Sequence, residues 1–530
     1  MKLVREAFFD TLRRHGMTTV FANPGSTEIP LLADFPEDLE FVLCLNEASV
    51  VGAATGWSLG KQRPAIALLH TTAGLGNAVG AIATARVNRA PLVIVVGQQD
   101  RRHLAFEPFL TGDLDGLAGR YPVWSAQPAR AADVPALVSR ARHEAVVARG
   151  PAVVSVPMND WLEPCGESVR EPAPDSLAIA EGADERLCSL VAERLLTARD
   201  PVIVSGAGSD DPRTWGALER LAEALRCPVW QEAFGGRAGF PQDSKHFAGH
   251  LPAGRAGVRA ALAGHDSVLV VGTAALRQYA YEDGELLSRD AEVLVVTDDA
   301  AEATRSAADV AVLTQLPGFC ARVAELAAAR PPERAGERAA GPRTGQVRPA
   351  AGPALRAEDV FQALGAWLPA GATVVEESPS TRPQLQDMLP ARSPLGFLSA
   401  AMGGLGFAMP AAMGLKLACP GRPVVAVIGD GSSLYACQSL WSAQRYGAGV
   451  LYVVLSNGGY AIMDRLAAQA GGRAPWPSFS DIDIAGLARS LGCRALDVRT
   501  HDELARAFGD TIPPLASLDE PLLMNVVVAR

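Results

Sequence analysis

Val424-Val-Ala-Val-Ile-Gly-Asp430-Gly-Ser-Ser-Leu434, followed by Val450-Leu-Tyr-Val-Val-Leu-Ser-Asn457-Gly-Gly-Tyr460, decides the fold. Each half is a short aliphatic run ending in a polar turn, which reads as a buried strand of a parallel sheet. In an open parallel sheet, ligands bind at the carboxyl ends of the strands. Asp430 and Asn457, 27 residues apart, would put a carboxylate and an amide oxygen at two such ends. Gly431 and the small Ser432 and Ser433 let backbone N–H groups approach a phosphate at a helix start. A hard cation such as Mg2+, bridging oxygen ligands to a diphosphate, is the natural occupant. Either half alone reads equally well as an ordinary strand-to-helix turn; the pair makes the signal.

The same alternation of short β-rich runs and helical stretches extends in both directions, the pattern of parallel sheets covered by helices. In the first third, Thr18–Ala22, Phe41–Leu45, Ala65–Leu69 and Leu92–Val96 read as strands, with helices over Glu47–Gly60 and Gly76–Val87. A second set begins at Pro201-Val-Ile-Val-Ser and continues through Ser267-Val-Leu-Val-Val and Val293-Leu-Val-Val-Thr; the third adds Thr373-Val-Val-Glu to the opening pair. Two stretches without apolar period separate the sets, one from about residue 163 to 184 and one dense in Pro, Arg, Gly and Ala from about 329 to 355. The expectation is an α/β chain of three doubly wound parallel-sheet domains, at 1–175, 185–330 and 356–530, with 331–355 as a linker.

Composition narrows the function. At 530 residues the chain is long enough for several cores, and 48% hydrophobic with 20% charged residues is an ordinary globular balance. A net charge of −10 argues against nucleic acid as a partner. The longest apolar runs, such as Pro91–Val96, are far short of the roughly 20 residues that span a bilayer, so no membrane association is expected. The first residues carry charge among their apolar positions, so no secretory leader is expected. Eight scattered cysteines without a Cys-x-x-Cys pair read as small buried hydrophobes in a reducing cytoplasm.

Gly429-Asp430-Gly431 and Ser456-Asn457 at their spacing resemble the signature of thiamine-diphosphate-dependent 2-keto-acid decarboxylases, with Ser456 where many members carry a second Asn. Asn23-Pro-Gly-Ser-Thr-Glu28, Leu45-Asn-Glu-Ala-Ser-Val-Val-Gly52, Leu69-His-Thr-Thr-Ala-Gly-Leu-Gly-Asn-Ala78, Gly97-Gln-Gln99 and Gly403-Gly-Leu-Gly-Phe-Ala-Met-Pro410 resemble the benzoylformate decarboxylase branch in the same order. The resemblance covers essentially the whole chain and implies thiamine diphosphate with Mg2+ as cofactors. It assigns Asp430, Asn457 and the Gly459 carbonyl to the metal, and Ser380, Gly429, Gly431, Ser432, Tyr460 and Met463 to cofactor contacts. Gly403 should offer its carbonyl to the 4′-amino group, and Leu405 should wedge between the cofactor rings. Glu47, read as ending the apolar run Phe41-Val-Leu-Cys-Leu, should be buried and hydrogen-bonded to the aminopyrimidine N1′. Ser26 should hold the substrate carboxylate, and His70 should be a proton donor or oxyanion partner. The resemblance also implies a homodimer or homotetramer in which the first domain of one subunit meets the third domain of its partner at the active site, acting on a small 2-keto acid.

Departures from the family bear on the outcome. Tyr279 stands where benzoylformate decarboxylases have a second active-site histidine, and a phenol with a reference pKa near 10 is a poorer proton switch at neutral pH. Ser399 and Leu466 replace aromatic pocket positions, with Ile462 and Met463 on the substrate side, Phe109 as compensating bulk, and Asp464 and Arg465 read as surface. Pro379 removes a hydroxyl beside Ser380. In the middle set, Val204-Ser-Gly-Ala-Gly-Ser-Asp-Asp has a Gly-x-Gly turn without the rest of a nucleotide fingerprint. The leading reading is therefore decarboxylation of a 2-keto acid to an aldehyde and CO2. The alternative, which the missing histidine favours, is a carboligase that passes the same acyl carbon to a second carbonyl. A non-catalytic cofactor-binding subunit is a third reading, and the presence of Glu47, Asp430 and Asn457 together argues against it.

Overall fold

The computed structural model describes residues 2–166, 173–330 and 354–529. The expected linker at 331–355 falls outside them, apart from its last two residues. The chain forms two compact units: Met1–Leu177 with Val375–Ser380 and Met402–Arg530, and Ala178–Val374 with Thr381–Ala401. Among the described residues no helix is long and apolar enough to cross a membrane.

Three six-stranded parallel sheets carry the architecture. The first consists of β1 (Thr19–Asn23), β2 (Glu40–Leu43), β3 (Ala65–Leu69), β4 (Leu92–Gln98), β5 (Trp124–Ala126) and β6 (Pro151–Pro157), in the order β2-β1-β3-β4-β6-β5. The second consists of β7 (Pro201–Ser205), β8 (Val229–Gln231), β9 (Phe247–His250), β10 (Ser267–Val271), β11 (Glu292–Thr297) and β12 (Val310–Leu313), in the order β12-β11-β10-β7-β8-β9. The third consists of β13 (Thr373–Glu377), β14 (Phe397–Ser399), β15 (Val424–Gly429), β16 (Leu451–Ser456), β17 (Arg494–Val498) and β18 (Leu522–Val527), in the order β14-β13-β15-β16-β18-β17. The central strands β3, β4, β7 and β10 are buried at every position. Helices on both faces account for that burial, and it is why the strands read as continuous apolar runs rather than alternating ones.

Each strand order reverses direction beside its first strand, and that reversal leaves a crevice at the carboxyl ends of the two strands flanking it. In the first sheet these are β1 and β3, which lead into the Asn23–Glu28 loop and into His70. In the third they are β13 and β15, which lead into Ser378–Ser380 and into Asp430. In the second they are β7 and β10, and there the crevice is filled by the chain itself. A Cβ on Gly206 would lie 2.4 Å from Thr273, and one on Gly272 would lie 2.6 Å from the Ser209 amide. Close packing of two turns thus accounts for the Gly-x-Gly of the middle set.

Within the first unit the helices Glu47–Lys61 and Ala408–Ala418 cross at contact distance. A Cβ on Gly56 would come within 1.9 Å of the Ala411 carbonyl oxygen, and one on Gly414 within 1.9 Å of that of Ala53. Small residues on both helices permit this approach and fix the helix begun at Glu47 against the helix begun after Gly403–Gly406.

Candidate active site

The parallel register of β15 and β16 pairs Gly429 with Leu455, so the two signature turns leave the sheet side by side. Asp430, 5% exposed, begins the short helix Asp430–Ser433. Its Oδ1 accepts the Gly431 N–H at 2.8 Å, while Oδ2 accepts those of Asn457 at 2.9 Å and Gly458 at 2.6 Å. Asn457 Oδ1 in turn accepts the Gly459 N–H at 3.1 Å. The three residues expected to hold a metal are thus gathered in one turn pair. One carboxylate, one amide oxygen and one carbonyl are a hard-oxygen set that leaves room for phosphate oxygens, which fits Mg2+. Gly431 has a second constraint: a Cβ there would lie 2.8 Å from the Tyr460 ring and 3.1 Å from that of Phe479. Tyr460 and Phe479 pack 4.9 Å apart between ring centres. A cavity of about 580 Å³ opens beside this turn pair, lined by Asp430, Asn457, Gly458 and Phe479 among others.

Ser380 follows β13, and its carbonyl accepts Arg465 Nη2 at 3.2 Å. Asp464 accepts the Trp476 indole N–H at 3.1 Å. Both charged residues are exposed, as the surface reading requires, and each ties down a neighbouring loop. Met463 is exposed, with Ile462 and Leu466 half-buried on the same helix. Ser399 is buried in the second unit, where its backbone N–H donates to Gly236 O. Gly403 and Gly406 have φ of +70° and +90°, a conformation open to glycine, while Leu405 between them is half-buried.

At the first sheet the register of β1 and β3 pairs Asn23 with Leu69, bringing the Pro24–Glu28 loop against His70. His70 Nδ1 lies 3.0 Å from Glu28 Oε2 and 3.0 Å from Thr27 Oγ1. The Glu28 side chain is 1% exposed; its Oε2 also accepts the Gly25 N–H at 2.7 Å, and its Oε1 accepts the Thr27 hydroxyl at 2.5 Å. Two glycines make room for this cluster: a Cβ on Gly97 would sit 1.6 Å from Glu28 Oε1, and one on Gly25 would sit 2.4 Å from the His70 ring. Thr71, immediately after His70, has φ +35°, strain localised where the loop turns into its helix. Ser26 is exposed in the middle of the same loop, where its 3-10 turn begins.

Glu47 departs from its expected setting. The strand β2 ends at Leu43, and Asn46 caps the helix Glu47–Lys61 by accepting the Ser49 N–H at 3.2 Å. Glu47 therefore opens the helix, as the reading of Glu47–Gly60 expects, but it is half-buried rather than enclosed. Its carboxylate accepts Asn23 Nδ2 at 3.0 Å and Asn77 Nδ2 at 3.2 Å. Tyr279 lies in the second unit, 74% exposed, with its backbone N–H on Ala253 O.

Two acids escaped the sequence reading. Glu28 closes the Ser-Thr-Glu turn and looks there like a helix-capping residue; its partner is 42 positions away. Glu377 ends β13, and the only hint of its role was a pair of acids closing an apolar strand. It is fully enclosed, and burial pushes its carboxyl up to about 7 against three backbone N–H bonds that favour the charge, with Glu376 adding to the rise.

Comparison with known proteins agrees with the geometry. Residues 2–118 match the thiamine pyrophosphate enzyme N-terminal TPP-binding domain, 188–323 the central domain and 381–526 the C-terminal TPP-binding domain. The chain is 38% identical over 529 residues to the benzoylformate decarboxylase of Pseudomonas aeruginosa, covering 99% of both chains. It superposes with a TM-score of 0.92 and 33% identity on the thiamine-diphosphate-dependent 4-hydroxybenzoylformate decarboxylase of Rhodococcus jostii RHA1, covering 100% of this chain and 99% of that one. The benzoylformate decarboxylase of Polynucleobacter necessarius gives a TM-score of 0.91 at 32% identity, with 100% and 99% covered. With the Asp430–Asn457 turn pair and the matches running from end to end, the chain belongs to the thiamine-pyrophosphate-dependent 2-keto-acid decarboxylase family.

Proposed function

We propose that the protein decarboxylates a benzoylformate-like 2-keto acid, consuming one proton and releasing an aldehyde and CO2, with thiamine diphosphate and Mg2+ bound. The observation that carries the cofactor half is the turn pair in which Asp430, Asn457 and Gly459 converge. When bound, the thiazolium supplies the electron sink for the breaking carbon–carboxylate bond. Asp430, Asn457 and the Gly459 carbonyl hold the metal; Ser380 and the backbone around Gly429, Gly431 and Ser432 hold the diphosphate. Tyr460 and Met463 flank the cofactor, Gly403 and Leu405 orient its two rings, and Glu47 donates to N1′. Ser26 binds the substrate carboxylate. His70, with Nδ1 engaged by Glu28 and Thr27, carries its working proton on Nε2.

The functional division runs 1–175, 185–330 and 356–530, with 331–355 joining the last two. The working form is a dimer or tetramer in which Glu47 of one copy meets Asp430 of another. Exposed apolar side chains on the first unit support this, Phe106 at 83% and Phe109 at 86% chief among them. No disulfide joins the described cysteines, in keeping with the cytoplasmic reading. A second reading, carbon–carbon ligation, is favoured by Tyr279 at the family's histidine position. Incubating the holoenzyme with a panel of 2-keto acids, with and without acceptor aldehydes, and identifying products by mass spectrometry tests both. Free aldehyde with CO2 is expected from an aryl 2-keto acid. Release of CO2 from none of the panel refutes the proposal.

A further inference from the structure

Glu377 has no part in the roles given above. Its side chain is buried, and both carboxylate oxygens are used: Oε1 accepts the Gly406 N–H at 2.6 Å, and Oε2 those of Phe407 at 2.8 Å and Ala408 at 2.6 Å. These amides sit at the entry of the helix Ala408–Ala418, where the first N–H groups have no partner within the helix. A local side-chain cap would ordinarily serve them, but the N-cap here is Phe407, and the acceptor arrives from a different strand. An amide in place of the carboxylate offers one acceptor oxygen and turns an NH2 toward a donor, so this geometry requires the acid.

Immediately before the three amides lies Gly403-Gly-Leu-Gly406. Gly403 and Gly404 are exposed, and nothing lies within 4 Å of a Cβ built on Gly403. The free end of this loop is therefore anchored at its base by Glu377. The main chain of Glu377 leads directly into Ser378–Ser380. One residue thus joins two loops, through its side chain and its backbone respectively.

We propose that Glu377 is a positioning residue for the cofactor, seating the Gly403–Leu405 loop that receives the ring end in register with the Ser378–Ser380 loop that receives the diphosphate end. The inference rests on the reading of those loops as the thiamine diphosphate site. The full chain, freed of cofactor, is titrated calorimetrically with magnesium thiamine diphosphate and, separately, with magnesium pyrophosphate, which occupies the diphosphate half alone. Glu377→Gln should weaken thiamine diphosphate about 10- to 100-fold, the loss expected of charged hydrogen bonds, and leave pyrophosphate within about twofold. Equal changes for both probes, or none, overturn the proposal. Failure of both probes to bind the wild-type chain removes the site reading instead. Amide exchange in the cofactor-free wild type gives an independent reading if the variant does not fold. Gly406–Ala408 should exchange at least about tenfold more slowly than Gly403 and Gly404, since first-turn amides are otherwise unprotected. Equal exchange rates in the two segments overturn the clamp.

Discussion

Glu28→Gln isolates what the buried carboxylate does for His70. The substitution keeps shape and volume in a site with no spare room, since Gly97 Cα already faces Glu28 Oε1 at the distance where a methyl would collide. One amide oxygen can still accept the Gly25 N–H, now made at 2.7 Å, but then the NH2 must face the Thr27 hydroxyl. The charged partner 3.0 Å from His70 Nδ1 is lost. A hydrogen bond to a charged group is worth about 1.5–3 kcal/mol, so the rate of product formation should fall about 10- to 150-fold. The cofactor is held by other residues, so its affinity should stay within about twofold of wild type. Proton NMR of thiazolium C2–H exchange should likewise be unaffected, because Glu47 is proposed to govern that step. Steady-state assays with benzoylformate, together with calorimetry and the exchange measurement, separate these readouts. A variant with a wild-type turnover rate, or one that slows C2–H exchange as much as turnover, refutes the assignment. Gly97→Ala provides a geometric counterpart: its Cβ at 1.6 Å from Oε1 must displace the same carboxylate, so it should reproduce the turnover defect with added loss of stability.

Glu47→Gln should slow C2–H exchange of the bound cofactor by about 10²–10⁴-fold while cofactor still binds, the range typical of an acid–base group; an unchanged exchange rate removes Glu47 from that role. Tyr279→His places an imidazole with a reference pKa near 6.5 at the position proposed to match the family's histidine, and mass spectrometry should show the product ratio moving from ligation toward free aldehyde with C2–H exchange constant. Glu377 gives the fold a pH signature. Burial raises its pKa to about 7, above the ordinary carboxyl value of 4.5, so the folded chain binds that proton more tightly than the unfolded chain. The resulting stabilisation is complete below about pH 4.5 and is lost as pH rises to about 7, a component on the order of 3 kcal/mol. The wild-type unfolding midpoint minus that of Glu377→Gln, both cofactor-free, should therefore decline across that window; parallel midpoints contradict it.

Most strands that could be read from sequence are nearly uniformly buried, with Glu40–Leu43 an exception. Leu92–Gln98 and Val424–Gly429 have no polar residue in their interiors because helices cover both faces. Pro151–Pro157 is just as buried and escaped notice: prolines bound it, and it follows a helix that sequence alone left undefined. Leu522–Val527 escaped as well, although it lies between β16 and β17. Strand order is set by crossovers and face burial, which a run of apolar residues does not encode.

The Asp430–Asn457 turn pair was legible because both its halves are local motifs whose strands happen to run in phase, Gly429 beside Leu455. Glu28 and Glu377 were not, and the reason is the same for both. Glu377 ends a strand flanking a reversal point and Glu28 closes the turn that follows one, and each acquires its chemistry from groups that another crossover delivers. His70 reaches Glu28 through the β1–β3 register, and the Gly406–Ala408 amides reach Glu377 from the entry of a helix packed on Glu47's own. The expectation for Glu47 placed the helix start correctly and erred only in burial, since the residue is half-buried rather than enclosed. At a reversal point the sequence announces the donor or acceptor, while the register of two parallel strands chooses its partner. Carboxylates at such ends are therefore the positions where a motif reading should be followed by asking which neighbouring strand opens the adjacent crevice.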